Sequence, residues 1–190
     1  MNQQLALDAV ANLAFDLLSR RKQVLVIAES CTAGLIAATL SRVPGMSRCL
    51  AGALVVYQSA SKTAWLDVPM ELIDRHGAVS REVAESMARQ ALQKTPHATI
   101  AISITGHLGP DAPAELDGVA WLGWAHRPDL LMTKMLKLNA GDTQDESRIP
   151  PHSDVRATQA ERRLIIRHAR QQNAVSQALG FLCDRLAEMR

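Results

Sequence analysis

Five short apolar runs constrain the fold more than any other feature of this chain: VLVIA (24–28), LAGALVVY (50–57), ATIAISIT (98–105), GVAWLGWA (118–125) and LLMTKMLKL (130–138). Runs of strand length, rich in Val and Ile and bounded by polar residues, predict buried β-strands. The segments around them carry helical periodicity instead. Residues 3–20 set Leu5, Ala6, Ala9, Val10, Leu13, Leu17 and Leu18 at helical spacing, and 33–43 form a second helix ended by Pro44-Gly45. Short helical pieces follow at 59–66 and 69–76, with Pro69 suited to a first helical position and Gly77 to the position just past a helix end. Ser80 is placed to cap a helix over 81–94 that buries Val83, Met87, Ala91 and Leu92. A long helix spans 159–186, with Leu164, Ile165, Ala169, Ala178, Leu179 and Leu182 on its apolar side. Residues 139–158 combine Gly, Asp, Ser and a Pro-Pro pair, and predict an exposed, mobile loop.

Strands alternating with helices make this an α/β chain with a three-layer arrangement, a sheet flanked by helices. The last two runs are only four residues apart, which predicts an antiparallel hairpin and hence a mixed sheet. Thr133 and the lysines of 130–138 suit an edge strand.

A length of 190 residues suits one domain, 1–190, with its own core, and a 47% hydrophobic fraction with 21% charged residues is that of a globular chain. With 21 Lys+Arg against 19 Asp+Glu, the net charge of +2 is too small to predict nucleic-acid binding. No apolar run reaches the roughly 20 residues of a membrane span, and the N-terminus shows no secretory pattern. Three cysteines (Cys31, Cys49, Cys183) without a CxxC argue against a disulfide framework or a zinc site, and the six histidines show no ligand spacing. A cytoplasmic globule without a membrane or nucleic-acid partner is the expectation.

Open α/β sheets build their sites at strand ends, and three such places concentrate polar residues. In AESCTAG (28–34), Ser30, Cys31 and Thr32 are placed to cap the next helix, whose free N–H groups would face an anion. Glu29 beside them suits catalysis, orientation of a neighbour, or capping. In YQSASK (57–62), the single tyrosine stands five residues before Lys62, which serves as a general base only if its pKa falls toward neutrality. In ITGHLGPDAP (104–113), Gly106, Gly109 and Pro110 mark a tight backbone loop that is neither a dinucleotide fingerprint nor a P-loop. Arg162, Arg163, Arg167 and Arg170 cluster on the last helix; such clusters are usually solvated, although Arg163 and Arg167 share a side.

Taken in order, AESCTAG, the VPG of 43–45 with Ser47, VVYQSASK, LDVP (66–69), RHGAVS (75–80), ISITG with Gly109-Pro110, and GVAW (118–121) resemble the CinA C-terminal domain family. The resemblance implies a mixed α/β fold and deamidation of nicotinamide mononucleotide to nicotinate mononucleotide and ammonia. It implies a Ser–Lys mechanism with Ser30 as nucleophile and Lys62 as base, and Tyr57 is expected as a third catalytic residue lining the same pocket. Substrate contacts are expected from Glu29, Cys31, Thr32, Ser47, Thr105, Gly106, Gly109 and Arg167. It implies no metal and no redox cofactor, and the partners expected are a small nucleotide substrate and further copies of the chain in a homo-oligomer.

The chain departs from the family pattern at several places. Ala33 replaces a second glycine, and His107 and Leu108 stand where small residues are usual. DAPAELD (111–117) replaces a longer glycine-rich stretch with a lysine, and Glu161-Arg162 replaces Gly-Asp. A second reading follows: a diverged member that binds a nucleotide or protein partner without turnover. A different small amide as substrate is a third.

Overall fold

The structure, a computed structural model, describes residues 3–140 and 155–189. The predicted strands are β1 (Leu25–Glu29), β2 (Leu50–Val55), β3 (Ile100–Gly106), β4 (Val119–His126) and β5 (Leu130–Lys137). They form one sheet in the order β2-β1-β3-β4-β5. β1 runs parallel to β2 and β3, while β4 is antiparallel to β3 and β5, so the sheet is mixed and β4–β5 is the expected hairpin with β5 at an edge.

Helices cover both faces because side chains alternate along each strand. Leu25 and Ile27 of β1, with Ile100, Ile102 and Ile104 of β3, join one core cluster with α1 (Gln3–Arg20), α2 (Leu35–Ser41) and α6 (Val155–Glu188). Val26, Ala28 and Ala101 point the other way, into a second cluster with α3 (Ser59–Leu66), α4 (Met70–His76) and α5 (Arg81–Lys94). α6 is fixed to the first face by Phe181, whose ring meets buried Trp124 edge-on at 6.4 Å. Aromatic pairs in this geometry add about 1 kcal/mol beyond the area they bury. Ser80 caps α5 as expected, its Oγ accepting from the Val83 N–H at 3.3 Å.

The structure corrects several local expectations. α1 buries Leu7, Ala11, Ala14 and Leu18, whereas Leu5 and Leu13 are exposed. The chain has apolar residues on more than one side of this helix, and periodicity alone did not select the face that meets α6. Leu164, expected on the apolar side of α6, is also exposed, and from Gln159 onward the first buried residue of that helix is Ala174. α6 takes in residues 155–158, so the helix starts earlier than the composition suggested. The rest of the predicted loop, 141–154, lies outside the described residues.

Candidate active site

Ser30 stands one residue beyond the end of β1. Its N–H donates to Ile104 O at 3.0 Å, continuing the β1–β3 ladder and setting Ser30 beside Thr105. The alternation that turns Val26 and Ala28 toward α3 turns the Ser30 side chain the same way. There Lys62, on α3, brings its Nζ to 2.8 Å from Ser30 Oγ. Lys62 also donates to Val56 O at 2.9 Å, and it is only 1% exposed. Among the described residues no carboxylate forms an ion pair with it. Burial without a compensating anion disfavours the ammonium form, and the pKa of Lys62 falls to about 8.

The turn after Ser30 differs from the expected cap. Ser30, Cys31 and Thr32 do not cap α2; the helix starts at Leu35 with Gly34 at its N-cap, in left-handed conformation. The capping group is Glu29. Its fully buried carboxylate accepts from Gly34 N–H (3.0 Å), Ile36 N–H (3.2 Å) and Ala37 N–H (2.9 Å). An anion at this helix end is favoured by the dipole, and the protein supplies its own. The amides expected to face a substrate anion are therefore occupied, and so is Glu29. Ala33 has φ +52°, a left-handed position that glycine adopts more easily than alanine.

Cys31 is buried beside the pair, and loss of hydration pushes its thiol pKa up to about 12. A thiol so rarely ionised is a packing group rather than a nucleophile. Thr32 is buried too, and its carbonyl accepts from Gln171 Nε2 of α6 at 3.2 Å. Thr105 Oγ1 donates to Ala78 O at 2.7 Å, tying β3 to the segment before α5. Gly106 belongs to β3, not to a loop, and pairs with Ala120; a Cβ there would come within 2.5 Å of the Ala120 Cβ.

Tyr57, Gly109 and Arg167 meet. Arg167 Nη2 donates to the Tyr57 hydroxyl at 2.6 Å and Nη1 to Gly109 O at 3.2 Å. Its neighbours on α6 grip the same loop. Arg163 pairs with Asp111, and Arg170 makes a two-pronged bond to Asp117. Arg163 and Arg170 thus face carboxylates, while Arg167 faces two neutral oxygens. The arginine cluster is only partly a solvated face: Arg162 and Arg163 are exposed, while Arg167, Arg170 and Gln171 are half-buried and directed at the site. Their spacing was visible in the sequence, but the acids opposite them lie more than fifty residues away.

Ser47 is the site residue that the fold does not bring in. It lies in a 3-10 turn (Met46–Arg48) before β2, and the Leu25↔Leu50 register of the parallel pair puts that turn at the N-terminal end of β1, opposite the end that carries Ser30. The length of β1, roughly 17 Å at a strand's rise, separates Ser47 from Ser30.

The family model of the CinA C-terminal domain matches residues 7–149. The chain belongs to this family. The CinA-like protein of Myxococcus xanthus is 36% identical over 142 residues, covering 75% of this chain and 34% of that protein. Two solved CinA-family structures share the fold over nearly all of both chains. The competence damage-inducible protein A from Klebsiella pneumoniae superposes with a TM-score of 0.78 at 24% identity, covering 97% of this chain and 99% of that one. The competence/damage inducible protein from Agrobacterium tumefaciens does so with a TM-score of 0.75 at 26% identity and 96% coverage of each. This CinA-type chain spans only 25–35% of the length of the first curated relatives it matches. Among its described residues no helix is long and apolar enough to cross a membrane, and no three His, Cys, Asp or Glu side chains gather as a metal site.

Proposed function

We propose that this CinA-family chain is a cytoplasmic amidohydrolase that converts nicotinamide mononucleotide to nicotinate mononucleotide and ammonia, with Ser30 as nucleophile and Lys62 as base. The observation that carries the reading is the buried Lys62 amine, paired with no carboxylate among the described residues, 2.8 Å from the Ser30 hydroxyl. A serine hydroxyl needs a base to become a nucleophile, and a lysine serves once its neutral form is populated. With a pKa of about 8, about a tenth of Lys62 is neutral at pH 7.

In this reading the neutral Lys62 amine takes the Ser30 Oγ proton as Oγ bonds to the carboxamide carbon. Collapse of the tetrahedral adduct breaks the C–N bond, and Lys62 returns the proton to the leaving nitrogen, which departs as ammonia. The nicotinoyl ester on Ser30 is then attacked by water, which gives a proton to Lys62. The ester C–O bond breaks, the proton returns to Ser30 Oγ, and the carboxylic acid leaves, giving up its own proton to solvent as it becomes the carboxylate. Arg167, which among the described residues pairs with no carboxylate, is proposed to meet the substrate phosphate beside Tyr57. A homo-oligomer is part of the same proposal, and light scattering on the purified chain measures it.

The test is to incubate purified protein with nicotinamide mononucleotide between pH 6 and 9 and assay ammonia and the acid product. Equal amounts of both are expected. Calorimetric binding with the substrate left intact throughout that range would instead favour a family member that binds without turnover.

A further inference from the structure

From the loop between β3 and β4 we infer that Asp117 and Arg170 are positioning residues, a latch that holds Arg167 and Tyr57 in place from behind. Arg170 Nη1 donates to Asp117 Oδ1 and Nη2 to Oδ2, both at 2.7 Å. The same Nη1 reaches Leu108 O at 3.2 Å. The next carbonyl along, that of Gly109, receives Arg167. A continuous path therefore runs from Asp117 through Arg170, the Leu108–Gly109 backbone and Arg167 to the Tyr57 hydroxyl.

Three observations distinguish this from an ordinary surface ion pair. The side chains are 15% (Arg170) and 31% (Asp117) exposed, and the geometry is the two-pronged fork that gives arginine its directional hold. The backbone leaves room for the pair. A Cβ on Gly109 would lie 2.0 Å from Asp117 Oδ1 and 2.2 Å from Arg170 Nη1, and one on Gly118 would lie 3.2 Å from Arg170 Cζ. Both glycines also have positive φ, +63° and +69°, so a side chain at either is excluded twice over. Finally, Leu108 is buried in the main core, so the loop is anchored on one side by packing and on the other by the guanidinium. The segment DAPAELD (111–117) thus supplies the acid of the latch.

The latch touches neither Ser30 nor Lys62, so its loss is expected to weaken substrate hold rather than chemistry. This activity arm rests on the proposed amidohydrolase reading; a second arm does not. Tyr57 is the single tyrosine of the chain, so its ring resonances are assigned without ambiguity and report the Arg167 contact with no substrate present. The variants are Asp117→Asn and Arg170→Lys, which keep size while losing the fork, with Arg167→Ala as the reference. If the latch positions Arg167, both variants shift the Tyr57 ring signals in the direction that Arg167→Ala does. With nicotinamide mononucleotide they raise KM about tenfold and leave kcat within about twofold. Unshifted Tyr57 signals in variants that merely melt at lower temperature would overturn the inference and reduce the pair to a brace. A fall in kcat at constant KM would overturn it as well. If the parent protein turns over no substrate, the proposed function fails, while the Tyr57 spectra still decide the latch.

Discussion

Lys62 Nζ and Ser30 Oγ stand 2.8 Å apart, joined by a hydrogen bond between α3 and the end of β1, where no carboxylate among the described residues pairs with the lysine. A buried cation so placed is costly to the fold and useful to a serine, and both consequences are measurable.

The pH–rate profile follows from the direction of the shift. Only the neutral amine accepts the Ser30 proton, and burial lowers the Lys62 pKa to about 8. Activity, measured as kcat/KM on nicotinamide mononucleotide, is therefore expected to rise tenfold per pH unit well below 8 and to level off above it. A profile flat from pH 6 to 9 would remove Lys62 from the role of base.

Stability carries the same signature with its own sign. The unfolded lysine titrates near 10.5 and the folded one near 8, so between these values the Lys62 contribution to stability rises with pH. The buried thiols of Cys31 and Cys183, pushed up from 9, act the opposite way above that pH, and the Lys62 contribution is read as the difference between parent and Lys62→Met. The charged-lysine penalty is fully present below pH 8 and is gone above 10.5. Its full size is on the order of 3 kcal/mol. Lys62→Met is expected to lack this rise while losing turnover, and urea unfolding of parent and variant at pH 7 and 10 compares the two.

Glu29 tests the architecture under the nucleophile. Its carboxylate accepts three N–H groups at the start of α2 while fully buried. Glu29→Ala leaves those amides without partners, at a cost of about 2–4 kcal/mol. Glu29→Gln retains one acceptor oxygen and is expected to cost less. Chemical denaturation measures the difference, and equal stability of parent and Glu29→Ala would mean that water replaces the cap.

Arg167 and Arg163 separate the substrate anion from the loop contacts. If Arg167 meets the phosphate, Arg167→Ala weakens nicotinamide mononucleotide binding at least about tenfold and leaves the unphosphorylated riboside nearly unchanged, since a charge-assisted bond contributes roughly 1.5–3 kcal/mol. Arg163 already faces Asp111, and its alanine variant should not change that discrimination. Calorimetry with both ligands on both variants reads it. If Arg163→Ala narrows the gap and Arg167→Ala does not, the anion lies one helical turn away.

The strands were legible because Val24–Ala28 and Ala98–Thr105 are apolar runs of strand length, and the β4–β5 hairpin because only four residues separate its two apolar runs. Ser30 and Lys62 were legible through the family pattern, and the register of β1 with β2 explains why they meet. What stayed hidden depends on contacts between distant segments. Capping was one of three roles the sequence left open for Glu29, and nothing local selects it over the other two; nor does anything local show that Arg170 folds onto Asp117 rather than into solvent. The buried side of α1 was hidden for a related reason. Leu5 and Leu13 match Leu7 and Leu18 in hydrophobicity, and only packing against α6 distinguishes them.

The central claim is that Ser30 forms an ester with the substrate acyl group. The most direct measurement is turnover of nicotinamide mononucleotide in the presence of hydroxylamine, with products separated by mass. An ester on Ser30 is intercepted by the stronger nucleophile, so the hydroxamate of nicotinate mononucleotide should form at the expense of the acid, and Ser30→Ala should make neither. Acid as the sole product at saturating hydroxylamine, or a Ser30→Ala protein that turns over at the parent rate, would contradict the account.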